Sequence, residues 1–160
     1  MLRLQKILVP TDFSKDSERA LQVAQSLARD HGAKLILAAA APPPPPVSES
    51  LLPSSEYPGL VAATRQDLEA AAATIIDLPV ETHVLGGEPG PAIVAIANDC
   101  NVDLVVMGTH GRSGLNRMVM GSVAEYVLRH ARCPVLTMKP GTEQHLEQNE
   151  PTSLTVSTPG

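Results

Sequence analysis

Four short apolar runs constrain this chain more than anything else in it. Ile7-Leu8-Val9, Leu35-Ile36-Leu37-Ala38, Leu104-Val105-Val106-Met107 and Val135-Leu136-Thr137-Met138 are apolar almost throughout and lack the alternation of a half-solvated strand. Strands of that kind are buried on both faces, the habit of a parallel sheet with helices on either side. Helical patterns fill the intervals. Ser14 is placed as an N-cap with Asp16 and Glu18 in the first turn. Ala20, Val23, Ala24, Leu27 and Ala28 then share a face until Gly32 stops the helix. Residues 59–76 return to helix, with Val61, Thr64, Leu68, Ala71, Ala72 and Ile75 on one side. Val80 to Val84 alternates polar with apolar, so it reads as an edge strand. A turn over residues 86–90 leads to a third helix, with Pro91 at its first position and Ile93, Ile96, Ala97 and Cys100 on its buried side. A fourth helix begins at Ser122 and buries Ala124, Val127, Leu128 and Ala131. Strands alternating with helices predict an α/β fold: an open five-stranded parallel sheet with right-handed crossovers and helices on both faces.

The segment from Met107 to Val123 carries the strongest chemical signal. Gly108, Gly111 and Gly114 crowd into one turn after a strand, and such a turn can aim successive amides inward as an anion-binding nest. Gly121 and Ser122 then open a helix, whose first amides lack intrahelical partners and whose dipole favours negative charge. Phosphate is the guest this arrangement suits. The plainer alternative is a set of tight turns with Ser122 capping a helix. The sequence contains no Walker A lysine motif, which excludes a Walker-type P-loop.

Composition narrows the function further. With 160 residues the chain has a one-domain length, and with one Phe, two Tyr and no Trp its core must be aliphatic. A net charge of −5 argues against nucleic-acid binding, and so few aromatics leave little for base stacking. Cys100 and Cys133 have no CxxC spacing and read as free thiols of a reducing compartment. No signal-peptide core or membrane-length apolar stretch is evident, so the expected location is cytoplasmic. Pro42 to Pro46 would extend roughly 15 Å as polyproline II within a spacer over residues 41–58. From Gly141 the composition turns polar, giving a domain over residues 1–140 and a disordered tail over 141–160. The five histidines show no metal-ligand spacing such as HExxH, and no metal ligands or catalytic residues are assigned.

Gly108, two residues, Gly111, nine residues, then Gly121-Ser122 resembles the G-x2-G-x9-G-(S/T) signature of the ATP-binding class of universal stress proteins. Ile7 to Ser14, Asp103 to Met107 and Cys133-Pro134-Val135-Leu136 resemble that family's landmarks in the same order. The resemblance implies a Rossmann-like fold of the adenine-nucleotide alpha-hydrolase type, with strand order 3-2-1-4-5. The first and fourth strands would then lie side by side. It further implies that ATP, with Mg2+ or Mn2+, sits beyond their C-terminal ends. Met107, Gly108, Thr109, His110, Gly111, Arg112, Ser113 and Gly114 would wrap ribose and phosphates, and Gly121, Ser122, Val123 and Ala124 would complete the phosphate site. Pro10, Thr11 and Asp12 would approach from the first turn, with Asp12 near the nucleotide or its metal, or acting as a helix-capping carboxylate. Ala40 would offer backbone hydrogen bonds to adenine. The family likeness implies a homodimer joined through Val135–Met138, an unknown client protein, and a regulatory stress-response module. A slow ATPase or self-phosphorylating protein, with His110 as the one candidate base, and a nucleotide-free dimeric scaffold are the alternatives.

Overall fold

The computed structural model describes residues 3–41, 57–109 and 120–139. The Pro42–Pro46 tract, the centre of the glycine loop and the polar tail therefore lie outside the described residues. The strands are β1 (Lys6–Pro10), β2 (Lys34–Ala40), β3 (Val80–Leu85), β4 (Leu104–Gly108) and β5 (Val135–Met138). The helices are α1 (Lys15–His31), α2 (Tyr57–Ala73), α3 (Pro89–Asp99) and α4 (Ser122–His130). The five strands form one parallel sheet in the order β3-β2-β1-β4-β5, as the resemblance implied.

The continuous apolar runs find their reason in two cores. Ile7, Val9, Leu35, Leu37 and Val106 face one cluster, joined by the α1 alanines and by Leu68 of α2. Leu8, Ile36, Val105 and Met107 face the other, which Ile93 and Ala97 of α3 and Ala124 and Val127 of α4 complete. Successive residues of each strand serve opposite faces. β3 lies at one edge and is only partly buried until Leu85, matching its alternation.

Local signals act where the residue types predict. Ser14 caps α1 by accepting from the Ser17 amide at 3.3 Å, and Gly32 ends it in the left-handed region at φ 66°. Arg29 then clips α1 to Asp77 through a bidentate contact, Nε to Oδ2 at 2.5 Å and a second guanidinium nitrogen to Oδ1 at 3.2 Å. The buried stripe of α1 is Ser17, Ala20, Ala24 and Ala28, with Val23 and Leu27 on its flanks. So narrow a stripe lets the helix lie close to the sheet. Across the sheet, one carboxylate oxygen of Asp103 accepts from the amides of Gln5 at 2.8 Å and Lys6 at 2.9 Å, tying the start of β1 to that of β4.

Two details differ from the sequence reading. The third helix begins at Pro89 rather than Pro91, with Glu88 at the N-cap, so residues 89 and 90 are helical rather than turn. Proline at the third helical position is tolerated because that amide also precedes the first intrahelical bond, Ala92 N–H to the Glu88 carbonyl at 3.1 Å. Leu128, expected on the inner face of α4, is 40% exposed. It lies beside the Ala124–Val127 stripe where the sheet ends at β5, and among the described residues no further strand lies beyond. Both cysteines are free thiols. Burial, and then the nearby Asp103 carboxylate, push the Cys133 thiol above its usual range. Among the described residues no helix is long and apolar enough to cross a membrane.

Candidate nucleotide site

In an open parallel sheet the chain leaves β1 toward one side and returns to the other, so a crevice opens beyond the ends of β1 and β4. A cavity of about 490 Å³ lies there, within the usual range for small-molecule sites. Every predicted site residue that falls among the described ones lines it. Pro10 comes from the end of β1 and Thr11 and Asp12 from the turn after it, Ala40 from β2, Met107 and Gly108 from β4 and Thr109 from just beyond it. Gly121, Ser122, Val123 and Ala124 come from the start of α4. His110, Gly111, Arg112, Ser113 and Gly114 lie outside the described residues.

The helix start has the polarity an anion needs. Gly121 is the N-cap and anchors itself by donating its N–H to the Thr109 carbonyl at 2.8 Å. The first bond of α4 is from the Glu125 amide to the Gly121 carbonyl at 3.0 Å, so the amides of Ser122, Val123 and Ala124 precede any intrahelical partner. Ser122 is not the cap; it occupies the first helical position, and its residue borders the cavity.

The β1 turn is held by two local side-chain bonds. The Phe13 amide donates to Thr11 Oγ1 at 3.0 Å, and the Ser14 amide donates to Asp12 Oδ1 at 3.1 Å. Between them Phe13 takes φ 62°, a left-handed conformation that costs an L-residue about 1 kcal/mol. Asp12 thus braces the turn that leads into α1 while it borders the cavity, and the cap of α1 is Ser14 rather than Asp12. Thr109 divides differently. Its amide and hydroxyl both donate to the Met138 carbonyl, at 3.0 and 3.1 Å, so this side chain binds β4 to the end of β5.

Gly108 has a packing reason as well. A Cβ there would stand 3.0 Å from Cβ and 3.2 Å from the carbonyl carbon of Asp16, because α1 crosses β4 at that point. Its φ is not positive, so the glycine serves close approach rather than an unusual turn.

Sequence reasoning missed the far wall. Thr64 and Asp67 reach the cavity from α2, three residues apart and so on one helix face. Leu85, Pro89 and Ile93 reach it from the end of β3 and the start of α3. The rule that sites gather at strand C-termini points to Leu85, but nothing local points to Asp67. Among the described lining residues the ionisable side chains are two carboxylates, Asp12 and Asp67. Thr64 turns its hydroxyl back to the Leu60 carbonyl at 2.9 Å.

Comparison with known proteins places this geometry. Residues 3–139 match the universal stress protein family. The chain is 32% identical over 142 residues to the universal stress protein MJ0531 of Methanocaldococcus jannaschii, covering 84% of this chain and 82% of that one. Among solved structures, MJ0577 of the same organism superposes with a TM-score of 0.69 at 28% identity, over 85% of this chain and 96% of that one. A universal stress protein in complex with cAMP superposes with a TM-score of 0.62 at 28% identity, over 84% of this chain and 97% of that one. The strand order, the crevice between β1 and β4 and these matches along nearly the whole described chain agree: the chain belongs to the universal stress protein family.

Proposed function

We propose that the cavity binds an adenine nucleotide, ATP, and that the protein is a nucleotide-dependent regulatory module of the stress response rather than an enzyme. The observation that carries this reading is the start of α4, which brings three amides without intrahelical partners to a cavity of nucleotide size. Ala40 and Ala41, at the end of β2, leave room for a flat base with backbone groups beside it. A related fold holding cAMP supports adenine as the base. The described walls offer carboxylates and no cation, so a triphosphate brought here gains from a divalent ion. The Asp12 carboxylate is a suitable hard ligand for Mg2+ or Mn2+.

Calorimetry with ATP tests the reading. Ser122→Ala should weaken binding by about 1.5–3 kcal/mol, the range for a hydrogen bond to a charged group. Identical affinities would remove Ser122 from the site, and no binding by the wild type would remove the nucleotide.

The same reading includes a homodimer through β5. The carbonyls of Pro134 and Met138 accept from the amides of Val105 in β4 and of Thr109 just beyond it. In a parallel pair the intervening residues, Val135 and Thr137, turn their N–H and C=O groups outward. Among the described residues β5 is the last strand of the sheet; it carries no charge and leaves Leu136 37% exposed. Such an edge is a template for a second strand, and a two-fold pairing would continue the sheet. Thr137→Pro removes an outward N–H while sparing the bonds to β4. Light scattering at tens of micromolar should show a dimer for the wild type and a shift toward monomer for this variant. A monomeric wild type, with or without ATP, would refute the assignment.

A further inference from the structure

Beneath the nucleotide cavity, on the α3 side of the sheet, three chemically different ligands converge. Glu81 and His83 are two residues apart on β3 and so share a face, and Cys100 is the C-cap of α3. A carboxylate oxygen, an imidazole nitrogen and the thiol sulfur all lie within 4.8 Å of one another. Among the described residues no other trio of histidine, cysteine or carboxylate groups gathers this closely. Of β3 only Leu85 lines the cavity; His83 lies about 7 Å and Glu81 about 13 Å from it along the strand, and none of the three ligands borders the crevice.

Each ligand is held by a neighbour. The Lys34 ammonium contacts Glu81 Oε2, leaving Oε1 toward His83 Nε2 at 2.6 Å. The Cys100 amide donates to the Ile96 carbonyl at 3.0 Å, and Lys6 Nζ donates to the Cys100 carbonyl at 2.7 Å, which fixes the backbone that carries the thiol. The side chains of Glu81 and His83 are 40% and 30% exposed, so an ion and a water can enter.

We propose that Glu81, His83 and Cys100 bind a thiophilic divalent cation of the zinc class. Bonds of about 2.0–2.3 Å in tetrahedral geometry set ligand atoms roughly 3.3–3.8 Å apart, a spacing these side chains reach by shifts of about an ångström. One carboxylate and one thiolate balance the charge of the ion, and the nitrogen and sulfur select zinc over magnesium or calcium. Lys34 remains on the second carboxylate oxygen and acts as a positioning residue. Water fills the fourth position. The bound ion ties the edge strand β3 to the end of α3.

The test uses the full chain, freed of metal by chelator dialysis and without nucleotide, so its outcome does not depend on the ATP reading. Titrated with Co2+, the wild type should take up one ion per chain, with a thiolate-to-cobalt charge-transfer band that one equivalent of Zn2+ bleaches. Cys100→Ser should abolish the band. Because groups merely behind a ligand are worth 10–100-fold in affinity, Cys100→Ser and His83→Gln should each weaken Zn2+ binding by at least about 100-fold. Cys133→Ser should leave both readouts unchanged. The proposal is overturned by the absence of a thiolate band in the wild type, which needs no variant to fold. It is equally overturned by a band that survives Cys100→Ser or that disappears with Cys133→Ser.

Discussion

Gly121→Val should abolish measurable ATP binding while leaving the chain folded. Gly121 sits at φ −64° and ψ 148°, a region any L-residue adopts, so valine meets no backbone strain. The bond from its amide to the Thr109 carbonyl is retained. What changes is the space. Position 121 borders the cavity at the mouth of α4, and a branched side chain there occupies the ground a phosphate must cross to reach the amides of Ser122, Val123 and Ala124. We expect calorimetry to show affinity reduced by at least about 100-fold, roughly 2.7 kcal/mol. Valine is a poorer N-cap than glycine, which should cost the helix about 1 kcal/mol and lower the melting temperature by only a few degrees. Unchanged ATP affinity in a folded variant would sink the phosphate assignment.

Gly108→Val tests the opposite separation, of folding from binding. Even a bare Cβ at position 108 would meet Asp16 at 3.0 Å, and the 3.2 and 3.3 Å contacts are to its backbone carbon and oxygen, which cannot swing aside. The helix as a whole must retreat, opening gaps along its alanine stripe. Inserting one methyl into close packing costs about 1–3 kcal/mol, and valine adds two more carbons. The 0.4–1 kcal/mol or so gained from a less flexible unfolded chain does not offset that. Urea titration should show a loss of about 3 kcal/mol or more for valine and a smaller loss for alanine. A midpoint equal to the wild type for Gly108→Ala would mean that α1 has room to spare. The two glycines belong to one sequence signature, yet the structure gives them different work: the first admits a helix, the last opens a helix toward the cavity.

The family's signature was legible before any coordinates because its glycines and apolar runs are close in sequence and obey short-range rules. A strand buried on both faces must be apolar at successive positions, so the runs at 7–9, 35–38 and 104–107 declare a parallel sheet covered by helices, and the two cores bear this out. Caps are equally local: Ser14 reaches an amide three residues on, and Gly32 needs only its own backbone freedom. What depended on packing was not legible. Two prolines near the start of α3 satisfy the same rule for a helix beginning, and only the hydrogen bond from Ala92 to Glu88 chooses between them. Thr109 looks like a ligand residue in sequence, but the arrival of β5 gives its hydroxyl the Met138 carbonyl to bind. Asp67 enters the cavity because α2 packs over the ends of β2 and β3, and Cys100 meets Glu81 and His83 because α3 runs back beneath the strand it follows. Periodicity along a chain records which face of an element is buried. It carries no record of how closely two elements approach or of which residues they bring opposite one another, and those distances arise only when the layers pack.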